Sequence, residues 1–192
     1  MIKAIIFDCF GVLTSDGWLP FAEKYFGHDR TLKDQARDLN KQVDSGLISY
    51  DSFVEQVALM AAVDLSEAYR AIDNNVPNDE LFGYIEHLKK HYKIGLLSNA
   101  GANWLNELFA PEQVALFDAV ALSFEMGVTK PHESAYEVIC KRLGISPKEA
   151  VFVDDIERYV TGARDIGMKG IWYKDVAQLR RELDALLANS NM

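Results

Sequence analysis

The chain of 192 residues carries 29 acidic against 20 basic residues, a net charge of −9, and 49% of it is hydrophobic. That balance suits a globular protein with one core, or a core and a small lobe, and excludes disordered and fibrous classes. The negative field opposes nucleic acid and anionic membranes, so the expected partner is a small molecule or another protein, with no nucleic acid and no membrane.

The first apolar run, Lys3 to Phe7 (KAIIF), ends at Asp8 and is too short for a signal peptide or a membrane span, so the chain reads as cytoplasmic. Its continuous hydrophobicity marks a strand covered on both faces. From about Gly17 to Val76 the pattern changes to helical periodicity, with Leu39 and Val43, then Phe53, Val57 and Met60, and no convincing strand. This segment is an all-helical insertion after the first strand. Within it Trp18, Phe21, Tyr25 and Phe26 form an apolar stripe suited to a local core.

A helix follows over Asp79 to Tyr92, carrying Leu81, Ile85 and Leu88, and then a second strand, Lys93 to Leu97 (KIGLL). Pro131 to Leu143 reads as the next helix, with Ala135, Val138, Ile139 and Leu143 on one face. In "SPKEA", Ser146, Pro147 and Glu149 have the arrangement of a capping box, and the turn feeds the strand Ala150 to Val153 (AVFV). Gly170 to Tyr173 (GIWY) is a fourth strand, and Asn189 to Met192 is expected to fray. Alternating strands and helices imply an α/β fold, a doubly wound parallel, Rossmann-like sheet.

The polar interruptions fall into register on this parse. Asp8, Ser98 and the pair Asp154 and Asp155 each follow a strand, and ligands of open α/β sheets bind outside the carboxyl ends of the strands. Lys130 stands before Pro131 at the expected helix start, where the helix dipole disfavours a cation and a bound anion explains it. The three aspartates sum to −3 and Lys130 returns +1, while two carboxylates about 4 Å apart repel by roughly 4 kcal/mol at an effective dielectric near 20. A divalent cation neutralises the set, and oxygen ligands favour Mg2+. A phosphate can then approach Asp8, met by the Ser98 hydroxyl, by backbone N–H groups around Asn99 and Ala100, and by Lys130.

With "IFDCFGVL", "LLSNAG", "GVTKPHESAY" and "VFVDDIERYVTGARDIGM" in order along nearly the whole chain, the sequence strongly resembles the haloacid dehalogenase-like hydrolase superfamily, most of whose members are phosphatases. The third and fourth motifs look most like the bacterial sugar-phosphate phosphatases and the N-terminal domain of soluble epoxide hydrolases. The resemblance implies a catalytic core of residues 1–15 and 79–192 with a mobile helical cap over 16–78. It implies that Asp8 is the nucleophile forming an aspartyl-phosphate, with Ser98, Lys130 and Asp155 as catalytic partners. Ser98, Asn99 and Lys130 then bind the phosphate of a small phosphorylated metabolite. Magnesium is held by Asp8, the backbone carbonyl of Phe10, Asp155 and, directly or through water, Asp154.

Phe10 departs from this pattern, because most family phosphatases carry there an aspartate that serves as general acid. General acid–base help is worth about 10²- to 10⁴-fold, against accelerations that reach about 10²¹ for phosphate monoesters, so a phosphatase preferring good leaving groups is expected. Two alternatives are a 2-haloacid dehalogenase, with Asp8 attacking carbon, and a catalytically impaired ligand-binding relative. The acidic pair opposes the first, and the intact Asp8, Lys130 and Asp155 oppose the second.

Cys9 and Cys140 imply no disulfide framework and no zinc site, and Cys9 is expected to pack away from Asp8. His28, His87, His91 and His132 have no ligand spacing, and Gly162 is expected in a helix packed close against a strand. Arg30 and Arg37 are open between substrate contact and surface ion pairs.

Overall fold

The computed structural model describes residues 1–190, the last two by backbone alone. Strand β1 (Ala4–Phe7) leads into four helices, α1 (Trp18–Phe26), α2 (Arg30–Asp44), α3 (Tyr50–Ala61) and α4 (Leu65–Ile72). Helix α5 (Asp79–Leu88), strand β2 (Lys93–Ser98), the short helices α6 (Leu105–Leu108) and α7 (Pro111–Val114), strand β3 (Ala119–Leu122) and helix α8 (Ser123–Met126) follow. The chain ends with α9 (Glu133–Leu143), β4 (Ala150–Asp154), α10 (Glu157–Asp165), β5 (Lys169–Trp172) and α11 (Val176–Ser190).

The strands form one parallel sheet in the order β3-β2-β1-β4-β5. Every residue of β1 is buried because both faces are covered, and the pleat divides its side chains between two clusters. Ile5 and Phe7, with Val151 and Val153, meet Leu81, Ile85 and Leu179 on one face. Ala4 and Ile6, with Phe152, meet Ala135, Tyr136 and Ile139 on the other. A third cluster, including Phe21, Phe26, Phe53 and Val57, lies wholly within α1–α4. Phe7 pairs with both Leu96 and Val153, so the next residue, Asp8, emerges level with Asp154 at the central rim.

Several expected boundaries move. The helix from Asp79 ends at Leu88 rather than Tyr92, since Lys90 and His91 are exposed and the chain turns there. The helix after Lys130 begins at Glu133, with His132 as its cap, so Lys130 and Pro131 occupy a turn joined by a cis peptide and not a helix start. The Ser146 capping box is present but encloses only the 3-10 turn Pro147–Glu149, and β5 lies one residue earlier than its apolar run. Strand β3 and helix α11 are additions to the sequence reading: β3 is a short edge strand of small residues, and α11 buries Leu179, Leu183 and Leu187. The tail expected to fray from Asn189 is helical through Ser190, and 191–192 lie outside the described residues. Among the described residues no helix is long and apolar enough to cross a membrane.

Candidate active site

Lys130 is the hub of the rim. Its ammonium, 2% exposed with its residue, lies 2.7 Å from Asp8 Oδ1 and 2.6 Å from Asp154 Oδ2. The Cys9 N–H donates to the same Asp8 oxygen at 2.7 Å, and the Ile156 N–H donates to Asp154 Oδ1 at 2.8 Å. Such a buried cation is tolerable only because two carboxylates and the rings of Phe152 and Tyr159 surround it. Burial alone would discharge Lys130, but Asp154 and Asp8 outweigh it and hold the ammonium above its ordinary value. Burial, with Asp154 beside it, pushes Asp8 upward, and Lys130 works in the opposite direction.

The turn carrying Lys130 is latched from both sides. Asn99 accepts the Lys130 N–H at 2.8 Å and donates through Nδ2 to the Lys130 carbonyl at 3.2 Å. Gly162 of α10 faces the adjacent proline, where an added Cβ would sit 2.8 Å from Pro131 Cβ and 2.9 Å from Pro131 O. This corrects the sequence reading of Gly162: it packs against the Lys130 turn and α9, not against a strand.

Asp155 stands apart from the ion pairs. Its Oδ1 is buried without a hydrogen-bond partner, and one oxygen from each of Asp8, Asp154 and Asp155 lies within 4.8 Å of the others. Burial and then Asp154 raise Asp155 to about 6. Gly11 lets the loop close over this carboxylate, since its φ is +82° and a Cβ would fall 2.4 Å from Asp155 Oδ2. An orphaned carboxylate oxygen among clustered oxygen donors fits a divalent metal ion.

Other expected site residues are placed differently. The Ser98 hydroxyl is buried and donates to the Asn99 carbonyl at a long 3.3 Å. The Ala100 N–H is already engaged, donating to Ser123 Oγ at 2.9 Å. The Asn99 side chain holds the Lys130 turn. Arg30 points outward beside Asp34, whereas Arg37 lines the main cavity while paired with Asp34 at 2.5 Å. Cys9 is buried in the core, and His87 and His91 are exposed.

A cavity of about 580 Å³ opens above the rim between the core and α1–α4. Asp8, Phe10, Lys130 and Asp155 form its floor. Phe10 meets Trp104 edge-on at 5.5 Å, and Trp104 meets Tyr50 of α3 at 5.3 Å, so position 10 begins an aromatic wall that reaches the helical layer. Trp18 lines this cavity, unlike Phe21 and Phe26, which fill the local core as expected. The sequence reading passed over Tyr50, Trp104, Asn40 and Asp44. Their one legible signal was the polar face of α2, where Arg37, Asn40 and Asp44 recur at helical spacing.

At the end of β1 a carboxylate, Asp8, is paired with a buried lysine and lines a polar and aromatic cavity. The sequence profile of the haloacid dehalogenase-like hydrolases matches residues 2–167, and the chain belongs to that family. D-ribitol-5-phosphate phosphatase of Bacteroides thetaiotaomicron is 25% identical over 97% of this chain and 99% of that protein. A phosphatase of Mycobacterium tuberculosis is 29% identical over 96% and 95%. Among solved structures, a haloacid dehalogenase family enzyme of B. thetaiotaomicron superposes with a TM-score of 0.73 at 22% identity, covering 93% of this chain and 98% of its own. That enzyme is also known in complex with magnesium and inorganic phosphate. A 2-haloacid dehalogenase of Pseudomonas syringae shares the fold with a TM-score of 0.60 at 18% identity, covering 90% and 86%.

Proposed function

We propose that the protein is a magnesium-dependent phosphatase that hydrolyses a small phosphate monoester through an aspartyl-phosphate on Asp8. The observation that carries this reading is the orphaned Asp155 Oδ1 beside Asp8 and Asp154. A dehalogenase acting on carbon gives that carboxylate no use, whereas a metal-assisted phosphatase requires it. The phosphatase relatives that match this chain over nearly its whole length support the same choice.

Asp8, Asp154, Asp155 and the Phe10 carbonyl would hold the ion, which supplies charge neutralisation for a phosphate entering beside carboxylates. The chain's own groups do the rest. Cys9 N–H and Lys130 both engage Oδ1 of Asp8, which fixes the carboxylate and leaves Oδ2 to attack phosphorus in line. Lys130 neutralises the equatorial oxygens as charge moves onto them, and its second partner, Asp154, keeps it aimed. Ser98, whose present hydrogen bond is weak, is free to turn its hydroxyl to a phosphoryl oxygen. The residues 16–78 act as the cap that excludes water and meets the leaving group. The cavity's size and its mixture of aromatic rings, amides and carboxylates suit a polar leaving group such as a polyol or sugar.

Release of p-nitrophenol from p-nitrophenyl phosphate tests the proposal. We expect activity that needs magnesium, that requires less of it as pH rises through about 6 and Asp155 ionises, and that Asp155→Asn abolishes. Metal-independent activity, or halide release from a 2-haloacid in its place, contradicts it.

A further inference from the structure

With phenylalanine at position 10, the first motif offers no acid to the leaving group, and an alkyl phosphate hydrolysed through Asp8 expels a poor leaving group unless its oxygen is protonated. Asp44 ends α2 and lines the cavity that holds Asp8, Phe10 and Lys130. Its position is fixed by the core. Ser123 donates its hydroxyl to the Asp44 carbonyl and accepts the Ala100 N–H at 2.9 Å, so the end of α2 is tied to the loop that follows Ser98. The contact is close, because a Cβ at Gly101 would lie 2.3 Å from Val43 Cγ2.

The side chain is poised as an acid. Asn40 Nδ2 donates to Asp44 Oδ2 at 3.1 Å, and among the described residues no cation pairs with it within 4.0 Å. The charged groups sharing the cavity are Asp8, Lys130, Asp155 and Arg158 from the core, Glu107 from α6, Arg37 from α2, and Asp16 and Asp73 from the loops. Burial first, and then Asp16, raise Asp44 to about 7, against the pull of Lys130, so it keeps its proton near neutrality. The other acids on this side of the cavity also accept hydrogen bonds, and burial raises Asp16 as well. Asp16 Oδ1 accepts the N–H groups of Trp18 and Leu19, and Asp73 accepts the Tyr50 hydroxyl.

We propose that Asp44 is the proton donor to the leaving-group oxygen, a catalytic residue supplied by the helical layer in place of one at position 10. This rests on the phosphatase reading above. As Asp8 Oδ2 bonds to phosphorus and the bond from phosphorus to the leaving oxygen breaks, the Asp44 proton passes to that oxygen and an alcohol departs. The Asp44 carboxylate then takes a proton from water as the water oxygen attacks phosphorus and the Asp8–phosphorus bond breaks. The acid is thereby restored for the next cycle.

The test compares kcat/KM for p-nitrophenyl phosphate and benzyl phosphate, esters of similar size whose leaving groups differ in their need for a proton. In the wild type, benzyl phosphate hydrolysis should fall as pH rises through about 7. Asp44→Asn should reduce benzyl phosphate hydrolysis about a hundredfold more than p-nitrophenyl phosphate hydrolysis and remove that alkaline limb. Phe10→Asp in the Asp44→Asn background should recover benzyl phosphate hydrolysis. Equal losses on the two esters, or a wild-type profile for benzyl phosphate with no alkaline limb, overturn the role of Asp44 alone. A wild type that hydrolyses neither ester overturns the phosphatase reading together with it.

Discussion

Phe10 and Gly11 show how one short turn divides its labour. Phe10 gives its ring to the wall with Trp104, and its backbone is left for the floor of the site. Gly11 adopts φ +82° directly against Asp155, where any Cβ would strike the carboxylate at 2.4 Å. Gly11→Ala therefore combines a left-handed backbone cost of about 1–2 kcal/mol with displacement of the orphaned oxygen. Magnesium binding followed by calorimetry should weaken by at least tenfold, and unchanged affinity shows that Asp155 is not a ligand. At this scale the sequence was most legible where chemistry demanded a residue type. Asp8, Lys130, Asp154 and Asp155 do converge, and Lys130 does face the carboxylates. It was least legible for Asn99 and Ala100, whose roles depend on partners in the Lys130 turn and at Ser123 that no local pattern announces.

At the scale of elements, α2, α8 and the loop after β2 form one joint. The hydroxyl of Ser123, first residue of α8, serves Asp44 and Ala100 together, and it is fully buried. Ser123→Ala leaves the buried Ala100 N–H without its partner and frees the part-buried Asp44 carbonyl, which costs about 1–3 kcal/mol. Urea unfolding should report that loss, and kcat for benzyl phosphate should fall more than kcat for p-nitrophenyl phosphate, because Asp44 is then held less firmly. Equal falls on the two esters contradict the joint as what positions Asp44. The sequence reading found the strands with continuous β-branched runs and missed β3, since Ala119–Leu122 is a short, half-exposed edge whose alanines carry little strand preference. Helix α11 was missed because the motifs end before it. The start of α9 was misplaced because Pro131 resembles a first helical residue, whereas here it belongs to the preceding turn.

For the whole molecule, topology concentrates charge. Strand order β3-β2-β1-β4-β5 brings the ends of β1 and β4 side by side, and the helical layer roofs them, so the rim carboxylates are both adjacent and desolvated. Groups raised by this burial, Asp155 to about 6 and Asp44 to about 7, hold protons that the unfolded chain has released. Their contribution to stability consequently declines as pH rises from the ordinary carboxylate value through those values, and an ion bound by Asp155 reverses its share. The overall fold class and the rim were legible from strand ends and charge, whereas the cavity was not, because its walls come from segments far apart in sequence that meet only after the helices pack. The central claim is that Asp8 becomes phosphorylated during turnover. Acid-quenching the enzyme with magnesium and p-nitrophenyl phosphate, followed by peptide mapping by mass spectrometry, measures this directly. A base-labile phosphoryl group on the peptide containing Asp8, absent from Asp8→Asn, is the predicted result. Phosphate release that persists in Asp8→Asn with no phosphoenzyme would contradict the account.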